Sequence, residues 1–530
     1  MTNVYEVIAF VLYFVLVIGV GIYFYITSKA KSENDYFLGG RDMGGLVSAL
    51  SAGASDMSAW VLMGLPGAIY LSGMGQVWIS IGLFIGTILS WIFVAPNLRR
   101  YTIQADNAIT VPQFLTNRFK VKSPSLRISS SVVFVVGYLL YSASSVYACG
   151  QLFHTLIPAI DEIWAMVVAT VIIVFYTLLG GYKAVCWTDF FQGMLMLIAL
   201  MIVPIVAYIF LKLNGTVEGA TVVTSEHYYS LLSSGKFDWE SISTILTGLS
   251  WGLGYFGMPH IIVRYMAIKN EKEMRKSQII GSSWTGLILL MATLMALVAH
   301  EYLGNSCEDS SSLVFVVTVR QIFEKGGWAL IGGIIISAIV AASMSTADSQ
   351  LLASSNAFAS DVYKTVIKKD ATDDKILKIG RIAVVVVSVL ALVIAIFVHK
   401  FNLGGIMELV SAAWSIFGAS FGPAVLLSLF WRRFNYKGAV SSIVTGFVVS
   451  VLWMVLFDLD RYGFNSLIYN TNLYEIIPGF ILSIVVAVVV SLLTEEPSDE
   501  VTAVFDKVKA MRKDKKLQEL EDVELANSNK

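Results

Sequence analysis

Apolar runs recur along this 530-residue chain at residues 5–27, 43–71, 74–96, 129–153, 162–180, 189–212, 241–263, 279–301, 327–350, 382–399, 405–430, 438–457 and 474–494. Most are close to the roughly 20 residues that a helix needs to cross the hydrocarbon of a bilayer. Inside hydrocarbon every backbone N–H and C=O must find its partner within the protein, so each run has to be helical or nearly so. Composition agrees: 56% of residues are hydrophobic and 14% charged, where a soluble domain carries about a quarter charged residues. The pattern predicts an all-α integral membrane protein of about thirteen transmembrane helices. The first run, "YEVIAFVLYFVLVIGVGIYFYIT", has no basic segment before it. It is long enough to span, so it reads as the first transmembrane helix and not as a cleaved signal peptide.

An odd number of spans puts the termini on opposite sides, and the basic residues say which side is which. With the N-terminus outside, only Lys212, Lys236, Arg320, Lys325, Lys400 and Arg461 of the 37 lysines and arginines fall in or beside outer segments. The others lie in the alternate loops and in the tail, as cytoplasmic segments of a plasma-membrane protein should. The chain divides into a first helix and loop (1–42), a ten-helix core (43–430), two further helices (431–494) and a polar cytoplasmic tail (495–530). That tail has room for a short surface helix around "VFDKVKAMRKDKKLQELEDV" but not for a catalytic domain. A net charge of −1 implies no nucleic-acid partner, and no obligate protein partner is evident. Cys149, Cys186 and Cys307 are far apart and form no CxxC, so they read as small buried residues, not as a disulfide or zinc framework. The five histidines form no HExxH, and no GxSxG is present, so the chain is not read as an enzyme and no catalytic residue is assigned.

The stretch "SAGASDMSAW" holds Asp56, the sole Asp, Glu, Lys, Arg or His from Met43 to Leu98. A carboxylate within the membrane is costly and is functional by default. The alternatives are a structural hydrogen bond to a neighbouring helix or a proton-carrying acid. The run around it contains Gly44, Gly45, Gly53, Gly64, Pro66 and Gly67, and the seventh run, "TGLSWGLGYFGMPH", is similarly punctuated and ends on His260. These would be the first and sixth spans of the ten-helix core. Interrupted segments at corresponding positions of two halves mark an inverted-repeat transporter with its site near the midplane. A break frees carbonyl oxygens, which suit an alkali cation, and a nearby carboxylate adds negative potential. In the ninth run, "ISAIVAASMSTADSQLLASS", the adjacent hydroxyls of Ser345 and Thr346 offer more oxygen, unless they only bond back to the preceding turn. Trp251, Tyr255 and Pro259 recur every four residues. On a regular helix they would share one side, with about 40° of drift per step. Such a stripe reads either as helix packing or as a wall for a small, compact apolar solute.

Together with "LGGYKAVCWTDFFQ" and "YEIIPGF", these stretches resemble the sodium:solute symporter family, most nearly its proline-carrying members, over roughly Asp35 to Leu493. The tail beyond Pro497 is not covered. The resemblance implies the ten-helix inverted repeat of the amino-acid/sodium symporters and sodium-coupled uptake of L-proline by alternating access. It implies a sodium site between the second and ninth spans, made by the carbonyls of Ala54, Met57 and Ala342 and the hydroxyls of Ser345 and Thr346. Asp56 would support that site, and Asp189 would lie on the inward ion path. Tyr141, Trp251, Tyr255 and Pro259 would form the solute pocket, with Ser58 close by. One departure is Ala59, which stands where those members have glycine and puts a methyl group at a crowded break. The nearest alternative is a sodium symporter of the same family for another small solute, such as a different amino acid, a carboxylate or a sugar. A channel would need a ring of like polar groups around a pore, where this chain has paired breaks.

Overall fold

The computed structural model describes residues 4–27, 33–121, 123–323, 328–368, 370–458, 466–512, 514, 517–520 and 522. Lys29, Lys31, Lys122, Lys325, Lys369, Arg461, Lys513, Lys515, Lys516 and Lys530, which contribute to the loop-charge bias, lie outside the described residues. Among those described, regular structure is all helical, apart from one isolated bridge between Met43 and Ile268. Each apolar run is helical over most of its described length.

Ten stretches are long and apolar enough to cross a membrane by length and composition. Three of the expected runs are not separate members of that set, each for a structural reason. The second run breaks in its middle, and its remainder continues into the third as Trp60–Gln104, around a turn at Gly73. The fifth is short as an apolar helix, Glu162–Phe175. The seventh is divided into Trp239–Ser250, a 3-10 turn Trp251–Phe256 and Pro259–Met266. The fifth and sixth runs are joined at Gly181 (φ 60°), so the sixth span begins there and not at residue 189. That left-handed conformation favours glycine, and an added Cβ would also approach the Tyr36 ring to 3.0 Å.

Two short helices lie between the expected apolar runs. Val111–Phe119 starts at Thr110, whose hydroxyl accepts the Gln113 N–H (3.0 Å), and Val314–Phe323 follows a 3-10 segment. The first half of the second span, Gly45–Asp56, packs among the sixth, eighth and ninth spans and Pro259–Met266. The 3-10 turn of the seventh packs on the third and eleventh spans. Close approach to the third requires glycine, because a Cβ at Gly252 would sit 2.3 Å from the Gly82 carbonyl oxygen. The twelfth and thirteenth spans pack on each other and on the eleventh, outside this core. Val15, Ile198, Val386 and Leu452 are exposed on the perimeter, where lipid replaces water as the solvent. The three cysteines are free and buried, as their spacing suggested. The tail helix, Asp499–Met511, buries Val501, Phe505, Val508 and Met511 against one end of the bundle, called here the tail end.

Candidate functional site

The second span leaves α-helical geometry just after Asp56, where Met57 takes φ −77°, ψ 75°, and resumes as a π turn at Trp60. The small residues of "SAGASDMSAW" leave the backbone free to bend without displacing large side chains. The released Asp56 carbonyl is held by three donors: the Ser58 N–H (2.9 Å), the Trp60 indole N–H (3.0 Å) and the Tyr141 hydroxyl (3.1 Å). Its carboxylate Oδ2 accepts a hydrogen bond from the Tyr255 hydroxyl on the seventh span. The other carboxylate oxygen is buried with no hydrogen-bond partner among the described residues.

The ninth span faces the same break. Ser345 Oγ lies 2.8 Å from the Ala54 carbonyl oxygen and 3.0 Å from that of Ala342. The neighbouring Thr346 hydroxyl is fully buried and has no hydrogen-bond partner among the described residues. Met57 is buried at the break itself. No group of three or more His, Cys, Asp or Glu able to hold a metal occurs among the described residues. The cluster is therefore one of neutral oxygens, which suits a hard monovalent ion better than a transition metal.

Trp251, Tyr255 and Pro259 do not form the single helical stripe that their spacing suggested. A 3-10 turn has three residues per turn, and helix is lost between Phe256 and Pro259. Each residue consequently has its own place. Trp251 stacks on Tyr474 (5.2 Å between centroids), lies near Trp60 (6.3 Å), and accepts the Trp414 indole N–H on its carbonyl (2.7 Å). It also floors a cavity of about 520 Å³ that opens at the end opposite the tail, lined among others by Gln76, Ile79, Thr247 and Ser411. Tyr255 meets Trp414 edge-on and reaches Asp56. Pro259 lines a much smaller space of about 20 Å³ toward the tail end, with Tyr182, Arg264 and Ser349. Ser58 lies within the break, its hydroxyl 3.4 Å from the Trp60 N–H.

Asp189 is near this cluster but not part of it. Its Oδ2 accepts from Ser51 Oγ (2.6 Å) and pairs with the Arg264 guanidinium (3.1 Å). Arg264 also donates to Ser51 Oγ (3.0 Å), the His260 carbonyl (2.5 Å) and Ser349 Oγ. This fully buried ion pair joins the second, sixth, seventh and ninth spans. Sequence reasoning missed Arg264, counting it as a loop charge at the end of a run. The available signal was its position one turn after His260, in a helix that starts inside the membrane. His260 is buried between the rings of Tyr138 and Tyr141 (6.0 and 5.7 Å).

The tail end is closed by backbone and charge together. Across the second and seventh spans, Met43 donates its N–H to the Ala267 carbonyl (3.2 Å) and accepts the Lys269 N–H on its own carbonyl (3.1 Å), and Glu273 accepts the Gly45 N–H (2.7 Å). Arg41 donates to the Met266 and Ala108 carbonyls (2.6 and 2.7 Å). Lys269 pairs with Asp42 at 2.7 Å, and that bond and charge hold its ammonium above the usual lysine range. A cavity thus reaches Trp251 from one end of the molecule, while the tail end is tied together.

The sodium:solute symporter family matches residues 36–446. The osmoregulated proline transporter OpuE of Bacillus subtilis (strain 168) is 37% identical over 513 residues, covering 94% of this chain and 99% of that one. The sodium/proline symporter of Staphylococcus aureus (strain JH9) is 40% identical over 509 residues, covering 95% of each. Among solved structures, a Na+-coupled sialic acid symporter in a substrate-bound outward-open state is similar in fold, with a TM-score of 0.73 at 20% identity over 93% of this chain and 99% of that one. Matched over most of its length, and built around paired breaks in its second and seventh spans, this chain belongs to the sodium:solute symporter family.

Proposed function

We propose that the protein carries L-proline into the cell with sodium by alternating access. The observation that carries this reading is the hydrogen bond from Tyr255 to Asp56. It joins the two broken spans at the midplane, beside the oxygens of Ala54, Ala342 and Ser345. The names of the proline-transporting relatives support the solute assignment. Residues 43–430 form the transport core, with the N-terminus outside, the tail end in the cytoplasm and the large cavity facing out. The protein acts as a carrier alone, without a catalytic step or an obligate protein partner, in surrounding lipid.

Sodium binds to the carbonyls of Ala54, Met57 and Ala342 and the hydroxyls of Ser345 and Thr346. Its arrival replaces the Ser345–Ala54 hydrogen bond and pulls the second and ninth spans onto one ion. Asp56 supplies negative potential from beside the ion, and Asp189 with Arg264 lines the inward route. The pyrrolidine ring packs against Trp251 and Tyr255, near Pro259, Tyr141 and Ser58, while its charged groups meet backbone groups freed at the breaks. Ala59 is helical there (φ −52°), so its backbone does not need glycine. Because both ligands bear on the Tyr255–Asp56 contact, each raises affinity for the other. A tenfold sodium gradient supplies about 1.4 kcal/mol and 100 mV about 2.3 kcal/mol per charge. Together, at one sodium per solute, these support accumulation of roughly several hundredfold.

The test is uptake of labelled proline by purified protein in proteoliposomes, with an imposed sodium gradient and a panel of competing solutes. Sodium should drive accumulation, and proline should compete best. Uptake indifferent to sodium would overturn the coupling. Stronger competition by another amino acid, a carboxylate or a sugar would reassign the solute within the same family.

A further inference from the structure

The cytoplasmic closure includes a segment that lies beyond the transmembrane bundle. Arg99, at the end of the third span, is fully buried and donates to the carbonyls of Ile268 (2.7 Å) and Lys269 (2.8 Å), just after the seventh span. It also pairs with the Glu271 carboxylate (3.6 Å) and with Oδ1 of Asp522 in the tail (2.8 Å). The other oxygen of Asp522 accepts the N–H of Glu271 (3.1 Å), the first residue of the eighth-span helix. Helices leave such first-turn N–H groups without an internal partner. One tail carboxylate therefore ties the cytoplasmic ends of the third, seventh and eighth spans.

The same tail grips the other side of the mouth. Arg512 donates to the Leu429 carbonyl at the end of the eleventh span (2.6 Å), with its guanidinium 5.0 Å from the Phe430 ring centre. Arg432 pairs with Asp506 at 3.1 Å. Phe505 packs near Tyr101 at the third-span end and under the Arg118 guanidinium (5.5 Å). The outer cavity lies between the third and seventh spans on one side (Gln76, Ile79, Thr247) and the eleventh on the other (Met407, Ser411). If access alternates, these spans must part at their cytoplasmic ends, and the tail crosses that line of parting.

We propose that the C-terminal tail is a latch on the inner gate, with Asp522 as the positioning residue that holds the outward-facing state. The inference rests on the alternating-access reading above. Opening inward requires the tail to give up one of its two attachments. The Asp522 contact is the one to yield, because its side chain is 19% exposed and is held by polar contacts to Arg99 and Glu271, whereas the tail helix is held by four buried apolar residues.

The test reads accessibility on both faces of the full-length protein in proteoliposomes. A cysteine at Ala353→Cys reports the narrow inner space and one at Gln76→Cys the outer cavity. The native cysteines are buried background. Asp522→Ala should raise the alkylation rate at the inner position about fivefold, the size of one partly exposed charged hydrogen bond, and slow it at the outer one. Phe505→Ala, which undocks the helix without touching the carboxylate, should shift both rates the same way. Asp522→Glu should restore the parent's rates, which a role in folding alone does not predict. If the parent responds reciprocally to sodium and proline while neither Asp522→Ala nor Phe505→Ala changes its rates, the latch is overturned. If the parent does not respond at all, alternating access fails and the latch with it.

Discussion

Tyr255 changes what Asp56 means. From spacing alone Tyr255 belonged to an apolar wall and Asp56 to an ion site on another span, so the two sites could be perturbed separately. The hydroxyl-to-carboxylate bond removes that separation. Tyr255→Phe keeps the ring and deletes only the donor, leaving a buried carboxylate with neither oxygen partnered. A hydrogen bond to a charged group contributes about 1.5–3 kcal/mol, so we expect sodium affinity and proline affinity each to fall on the order of tenfold to a hundredfold. Equilibrium binding measured for each ligand separately checks this, and a loss confined to proline would return Tyr255 to the role of a wall. Ser345→Ala combined with Thr346→Ala tests the other half of the cluster. Alanine is the best helix former, so the ninth span should persist at the cost of one bond to Ala54, about 1 kcal/mol. Sodium should then no longer raise the thermal unfolding temperature, and retained protection would place the ion elsewhere.

The seventh span places Trp251, Tyr255, Pro259 and Arg264 in different surroundings because it is not one helix. Its glycines let a 3-10 turn lie against the third and eleventh spans, and Pro259 restarts the helix after the break. That restart aims Arg264 inward at Asp189, with Ser51 and Ser349 completing the contact. Removing one member of a buried ion pair typically costs 3–5 kcal/mol, whereas replacing both with apolar residues is often nearly neutral. Arg264→Met should therefore lower detergent-solubilised stability by about that range, and Arg264→Met with Asp189→Leu should recover most of it. Thermal unfolding of both variants decides the point. A double variant as unstable as the single would mean that the surrounding hydroxyls, and not the charge pair, set the cost. Recovery of stability without recovery of uptake would assign the pair to the transport route.

At the scale of the molecule, a cavity of about 520 Å³ at one end and a space of about 20 Å³ toward the other are unequal in access. A membrane-impermeant thiol reagent added outside should modify Thr247→Cys readily and Asn356→Cys hardly at all. Sodium with proline should reverse the order when the reagent is inside, and equal reactivity from both sides would indicate a pore. The sequence alone determined the all-helical membrane fold, because lipid forces every long apolar run to satisfy its own backbone. It also marked both broken spans, because a lone carboxylate and clustered glycines are costly in a plain membrane helix. It did not determine which residues meet. A four-residue spacing assumes regular helix, and the 3-10 turn divided Trp251, Tyr255 and Pro259 among three surroundings. Arg264 looked like a loop charge until the restarted helix enclosed it, and the tail looked like free surface until Asp522 reached Arg99. Those pairings join residues 75 to 423 positions apart. Local propensity carries no information over such separations, and only the packing of the spans brought them within a hydrogen bond.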